Sequence, residues 1–152
     1  MGHTANSIFI QAPFEPTFDV SNNIERWTEL FGDEYVSAEV LKKQGNEITF
    51  RLTDDENKSW VSKRWLHKEQ KYAYASRHEP MFPFKYMKII WLYHEQEGGT
   101  LMTWIQDFEL DPGFTKFSAQ QIEGFINEHS QHNQKIFKKV IEKEATASAR
   151  NV

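Results

Sequence analysis

At 152 residues and 18.0 kDa the chain is sized for one domain, able to bury about two-thirds of its unfolded surface and still enclose a cavity. The absence of cysteine excludes disulfide frameworks, thiolate metal sites and thiol nucleophiles, and a net charge of -4 with a pI near 5.9 argues against a nucleic-acid footprint. Aromatic residues make up 14% of a chain whose mean hydropathy is -0.69, which points either to a dense core or to a lined pocket. No apolar run reaches the ~20 residues of a membrane span and the N-terminus lacks signal-peptide order, so a cytoplasmic protein is expected.

Thr4 to Ala12 has a β-rich centre and runs into Pro13, a residue suited to the first turn of a helix. From Phe14 to Phe31 the apolar positions Phe18, Ile24, Trp27, Leu30 and Phe31 recur at helical spacing, with Ser21 and Asn22 as a break between two short helices. Beyond Tyr35 the period shifts to two, most cleanly at Ile48, Phe50 and Leu52. Turn signals at Gln44 to Asn46, Asp54 to Asn57, Pro80 to Pro83 and Glu97 to Gly99 predict about six antiparallel strands up to Leu110. Asp111-Pro112-Gly113 ends the sheet, and Ser118 to Glu144 reads as a long helix with Ile122, Phe125, Ile126, His129, Asn133, Ile136, Phe137 and Val140 on one stripe. The expectation is an α+β domain over residues 1–144, a curved antiparallel sheet covered by the long helix, followed by a flexible tail over 145–152.

Several residues could carry chemistry. In the last strand Met102, Trp104, Gln106, Phe108 and Leu110 share a face, which makes Gln106 either a satisfied core amide or a pocket amide aimed at a carbonyl. In Trp60 to Leu66, Trp60, Ser62, Arg64 and Leu66 share a face, and alternation does not say whether it is inside. The rarity of unpaired buried arginine favours a solvated Arg64; an inward Arg64 could hold an enolate or polarise a ketone. Arg77 poses the same question. Tyr35 could donate from its phenol or plug the mouth of the core. Trp27, Phe31, Met87, Trp91 and Trp104 are core or pocket residues. His129 and His132 have i, i+3 spacing, but nothing joins them to form a metal site; there is no Gly-x-Ser-x-Gly elbow and no glycine-rich phosphate loop, so neither metal nor cofactor is expected.

From about His3 to Glu142 the chain resembles the single-domain aromatase/cyclases of bacterial type II polyketide pathways, which share the Bet v 1-like or START-like helix-grip fold. The resemblance is carried by Asn6-Ser7-Ile8, Ala12-Pro13-Phe14, Asn23-Ile24-Glu25-Arg26-Trp27, Glu29-Leu30-Phe31, Tyr35 and Ala38-Glu39-Val40-Leu41. It continues through Phe50-Arg51-Leu52, Trp60-Val61-Ser62-Lys63-Arg64, Pro83-Phe84-Lys85-Tyr86-Met87, Gly98-Gly99-Thr100 and Met102-Thr103-Trp104-Ile105-Gln106-Asp107-Phe108. It implies a seven-stranded sheet gripping the long helix around a hydrophobic cavity, with Arg64 turned inward. It casts Arg64 and Tyr35 as catalytic and Trp27, Phe31, Trp60, Ser62, Arg77, Met87, Trp91, Trp104 and Gln106 as substrate-binding residues. The function it implies is regiospecific first-ring aldol cyclisation and dehydration of a linear poly-β-ketone tethered to an acyl carrier protein of a minimal polyketide synthase. Lys58 stands where relatives often carry a second Trp, and the loop at Pro80 to Pro83 is longer by a residue. A carrier protein is acidic, so docking on this acidic chain calls for a local basic patch, with Lys42, Lys43 and Lys63, or Lys138, Lys139 and Lys143, as candidates. The same fold also serves non-enzymatic carriers and chaperones of lipids or quinones, which need the cavity but not Arg64.

Overall fold

A computed structural model describes residues 1–150, with side chains described through residue 148. Strand β1 (Gly2–Ile10) leads into helix α1 (Phe14–Ser21), a 3-10 turn (Ile24–Arg26) and the single-turn helix α2 (Trp27–Leu30). Six strands follow: β2 (Tyr35–Gln44), β3 (Glu47–Asp54), β4 (Ser59–His67), β5 (Tyr72–Glu79), β6 (Phe84–Gln96) and β7 (Gly99–Leu110). Helix α3 (Ala119–Arg150) closes the chain.

The strands form one antiparallel sheet in the order β1-β7-β6-β5-β4-β3-β2, so the two short helices carry the chain from one edge to the other. Turns sit where the sequence places them because their residues tolerate a left-handed backbone: Gly45 has φ 61°, Asn57 φ 66° and Gly98 φ 84°. Register irregularities at Tyr35/Ser37, Val61/Ser62 and Phe84/Tyr86 bend the sheet into a grip. Gly99 marks the tightest approach, since a Cβ there would come within 2.2 Å of the Ile10 carbonyl oxygen.

Helix α3 lies along β1, held by Gln134 Nε2 donating to the Asn6 carbonyl (2.9 Å) and Lys138 Nζ donating to the Phe9 carbonyl (2.6 Å). Its start is a reciprocal capping pair in which the Gln121 amide donates to Ser118 Oγ and the Ser118 amide to Gln121 Oε1. Two expectations for this helix need correction. The buried stripe runs through Ser130, Asn133, Gln134, Phe137 and Ile141, whereas Phe125 is 49% exposed. Ser130 and Gln134 are polar and so invisible to a hydrophobic periodicity, yet Gln134 can be buried because the Asn6 carbonyl satisfies it. The tail expected from Ala145 is instead helical to Arg150: Ala145 packs against the core and the Arg26 guanidinium grips Glu144 with two hydrogen bonds, extending the helix. Residues 151 and 152 lie outside the described residues. No helix among the described residues is long and apolar enough to cross a membrane.

Two glycines give opposite expected outcomes. Gly99→Ala must push backbone apart and should cost about 2–4 kcal/mol. Gly124→Ala, inside α3 with open space around its Cβ position, should stabilise by about 0.5–1 kcal/mol. Urea midpoints of the two variants against the parent chain check both signs.

Candidate active site

The concave face of the sheet is built from small residues beside large ones. Registered rows run Ile48–Arg64–Ala75–Ile89–Gln106 and Leu66–Ala73–Trp91–Trp104 across the strands. Because β5 contributes the small residues Ala73 and Ala75 to the middle of this face, space opens there and Arg64 reaches across to Trp91. With α3 above, the result is a cavity of about 270 Å³. All of the site residues anticipated from sequence border it: Arg64 and Tyr35, with Trp27, Phe31, Trp60, Ser62, Arg77, Met87, Trp91, Trp104 and Gln106.

Arg64 is buried, with 2% of its surface exposed, so the solvated orientation that strand alternation permits does not occur. Its guanidinium carbon stands 4.0 Å from the Trp91 ring centroid and 5.7 Å from that of Trp27, and Nε donates to Asn22 Oδ1 at 2.8 Å. Asn22 in turn donates through Nδ2 to the Phe18 carbonyl and to the Tyr93 hydroxyl, which also bonds Ser21 Oγ at 2.7 Å. Among the described residues no carboxylate pairs with the charge; aromatic faces and a neutral amide meet it. Burial lowers the Arg64 pKa to about 10, which leaves it a cation at neutral pH, and burial raises the Tyr93 phenol to about 12, against the pull of the Arg64 charge. Nη2 of Arg64 has no hydrogen-bond partner among the described residues, and neither do the indole Nε1 atoms of Trp91 and Trp104, whose rings stack 4.1 Å apart.

At the mouth, Tyr35 packs between Trp27, Phe31 and Trp60. Burial first, then the neighbouring Glu34 carboxylate, pushes its phenol well above the ordinary tyrosine value, so it stays protonated at neutral pH. Arg77 lies deeper in the wall than a surface arginine but is engaged: Nε donates to the Pro80 carbonyl (2.7 Å), Nη2 to the Phe82 carbonyl (3.3 Å), and the guanidinium faces Trp60 and Phe84. Arg77 therefore braces the Pro80 to Pro83 loop at the cavity wall. Gln106 borders the cavity, and its Nε2 donates weakly to Ser130 Oγ at 3.4 Å.

Sequence reasoning missed several residues that build or support the wall. Asn22 looked like a helix break, and its partner Arg64 is 42 positions away. Glu34 carried no pattern at all, yet its Oε2 lies 2.9 Å from His129 Nε2 and accepts from Asn133 Nδ2 at 3.1 Å. His129 is thus tied to a carboxylate, and among the described residues no three histidine, aspartate or glutamate side chains gather as a metal site.

No family model matches the sequence. Among curated proteins, a polyketide cyclase of Streptomyces cyaneus is 48% identical over 116 residues, covering 73% of this chain and 75% of the relative. A second, from Streptomyces halstedii, is 43% identical over 109 residues, covering 68% of this chain and 98% of the relative. The chain belongs to the polyketide cyclase family. The fold of this cyclase is the expected helix grip: the Zhui aromatase/cyclase of Streptomyces sp. R1128 superposes with a TM-score of 0.76 at 16% identity, covering 95% of this chain and 93% of that one.

The Glu34–His129 contact gives the cyclase a pH signature. The Glu34 carboxylate raises the His129 pKa above the ordinary 6.5, against the opposing effect of burial. A raised folded-state value contributes stability that is complete below pH ~6.5 and is lost as pH rises through the folded pKa. His129 is half-exposed, so the contribution is small, about 0.5 kcal/mol or 1–2 °C in Tm. His129→Gln should lower Tm at pH 6 and leave it unchanged at pH 9, as differential scanning calorimetry across that range would show.

Proposed function

We propose that this cyclase binds a linear poly-β-ketone presented by an acyl carrier protein and directs regiospecific aldol closure and dehydration of the first aromatic ring. The observation that carries the reading is Arg64, a buried cation whose Nη2 has no partner in the wall of an aromatic cavity. A buried donor without an acceptor is costly, and a ligand rich in carbonyl oxygens would relieve that cost. The unpartnered indole N–H groups of Trp91 and Trp104 add to the same demand: these groups of the wall lack acceptors, and a poly-β-ketone supplies them at regular intervals.

The chemistry follows from these donors. A poly-β-ketone cyclises unaided in several registers, so the protein's first task is to hold one bent conformation, which the flat walls of Trp27, Trp60, Trp91 and Trp104 favour. Arg64 anchors a ketone and stabilises the oxyanion as charge develops, Tyr35 donates a proton to the carbonyl under attack, and Ser62 and Gln106 orient neighbouring ketones. Arg77 limits the reach of the chain through the loop it braces. Docking of the carrier protein calls for free lysines; Lys63 faces Glu47 and Lys138 is held by Glu142, which leaves Lys42 and Lys43, or Lys139 and Lys143, as the better anchors.

Reconstitution with a minimal polyketide synthase tests the reading. The wild-type chain should convert a mixture of spontaneous shunt products into one aromatic product, resolved by liquid chromatography and mass spectrometry. Arg64→Ala and Arg64→Met should each lose roughly a hundredfold in the rate of forming that product. Tyr35→Phe should slow closure by about the same factor while keeping the ring register. If wild type, Arg64→Ala and Arg64→Met give the same profile across several chain lengths, the cyclisation reading fails for those substrates and ligand carriage becomes the better account.

A further inference from the structure

The mouth of the cavity holds an arrangement that neither the anchoring role of Arg64 nor the donor role of Tyr35 uses. Helix α3 brings His129 to the rim, and the turn between α2 and β2 brings Glu34 against it, with Nε2 to Oε2 at 2.9 Å. The carboxylate is itself held in place: its side chain is only 17% exposed and Oε2 also accepts from the Asn133 amide. Asn133 is buried, so its Nδ2 is locked toward Glu34. A carboxylate against one ring nitrogen keeps the proton there and leaves the lone pair of the neutral ring on the other, Nδ1. His129 also stays in contact with water, which lets it exchange protons between turnovers.

We propose that His129 is the general base of ring closure and that Glu34 is its positioning residue. This rests on the poly-β-ketone reading above. His129 Nδ1 removes a proton from a methylene flanked by two ketones, and the C–H electrons become the enolate whose oxygen Arg64 holds. The enolate carbon forms the new C–C bond at a second ketone carbon, and that carbonyl's π electrons move to its oxygen, which takes the Tyr35 proton. The His129 imidazolium returns a proton to Tyr35. In the dehydration His129 takes a second α-proton, the C–O bond breaks, and the departing hydroxide leaves as water with the imidazolium proton. Protons balance, one water is released, and no oxidant or reductant is needed.

Glu34 serves both partners, since the same carboxylate also raises the Tyr35 phenol. The other groups facing this rim are Asp33 beside Glu34, Asp54 and Asp55 from the β3–β4 turn, and His132 one turn along α3. Glu34 and, more weakly, Asp33 favour the protonated imidazole, which places the onset of base activity above the ordinary histidine value.

In the reconstituted system, spontaneous cyclisation is an internal clock, so the ratio of enzyme product to shunt products reads the rate. His129→Ala should keep the identity of the aromatic product while lowering that ratio roughly a hundredfold, and added imidazole should restore part of it. In the wild type the ratio should rise with pH through the His129 titration; His129→Gln should abolish this limb and Glu34→Gln should move it to lower pH. Melting curves, together with quenching of the wall tryptophans by 2-acetyl-1-naphthol, report that fold and cavity persist in each variant. A wild-type ratio and pH limb in His129→Ala, with Arg64→Ala still losing the product, overturns the base assignment and leaves the cyclisation reading standing. Failure of the wild-type chain to alter the profile overturns the cyclisation reading, and the base assignment with it.

Discussion

A guanidinium buried against Trp91, with no carboxylate paired to it among the described residues, is the constraint around which the rest of this protein is arranged. A charge removed from water must find dipoles and polarisable faces or it will not stay charged. Here the Asn22 side chain and two indole rings supply them, and the Phe18 carbonyl and the Tyr93 hydroxyl hold Asn22 in turn. The end of α1 consequently supports the cavity wall from behind, through Asn22, without itself bordering the cavity.

The same constraint explains the shape of the sheet. Arg64 reaches Trp91 because Ala73 and Ala75 leave the middle of β5 bare on the concave face, and the space beside them opens into the cavity. Phe137 of α3, fully buried against Phe31, Trp91 and Trp104, closes that space from above with edge-on ring contacts. Polarity is thus divided within one pocket. Donors crowd the sheet side at Arg64, Trp91 and Trp104, while the carboxylate of Glu34 and the imidazole of His129 sit at the rim, where the imidazole meets water. That separation suits a reaction in which oxygen atoms gain negative charge inside and protons must be exchanged outside.

Architecture was legible where a local rule had no competitor. Period-two alternation in β3, β4 and β7, and turns at Gly45, Asn57 and Gly98, produced the strand count because side-chain direction in a strand and left-handed backbone at a turn are properties of adjacent residues. The helix face was read less well. Ser130 and Gln134 are buried by hydrogen bonding rather than by hydrophobicity, and Phe125 is exposed despite its side chain, so the apolar stripe was rotated from the true one. Resemblance to a family supplied the inward Arg64, which alternation by itself could not, since both faces of β4 carry a cation and an indole.

By itself, then, the sequence determined the element order, the faces of the strands and, through a family resemblance spread over most of the chain, part of the set of residues around the cavity. The tertiary structure alone decided what those residues meet. Arg64 with Asn22, Glu34 with His129, and Tyr93 with Ser21 are pairings between positions far apart in the chain. No local periodicity encodes such a pairing, because it depends on how edges, helices and turns are brought together once the sheet has curled. Burial and charge proximity, which set the protonation of Arg64, Tyr35 and His129, are likewise properties of the closed cavity rather than of any segment of the chain.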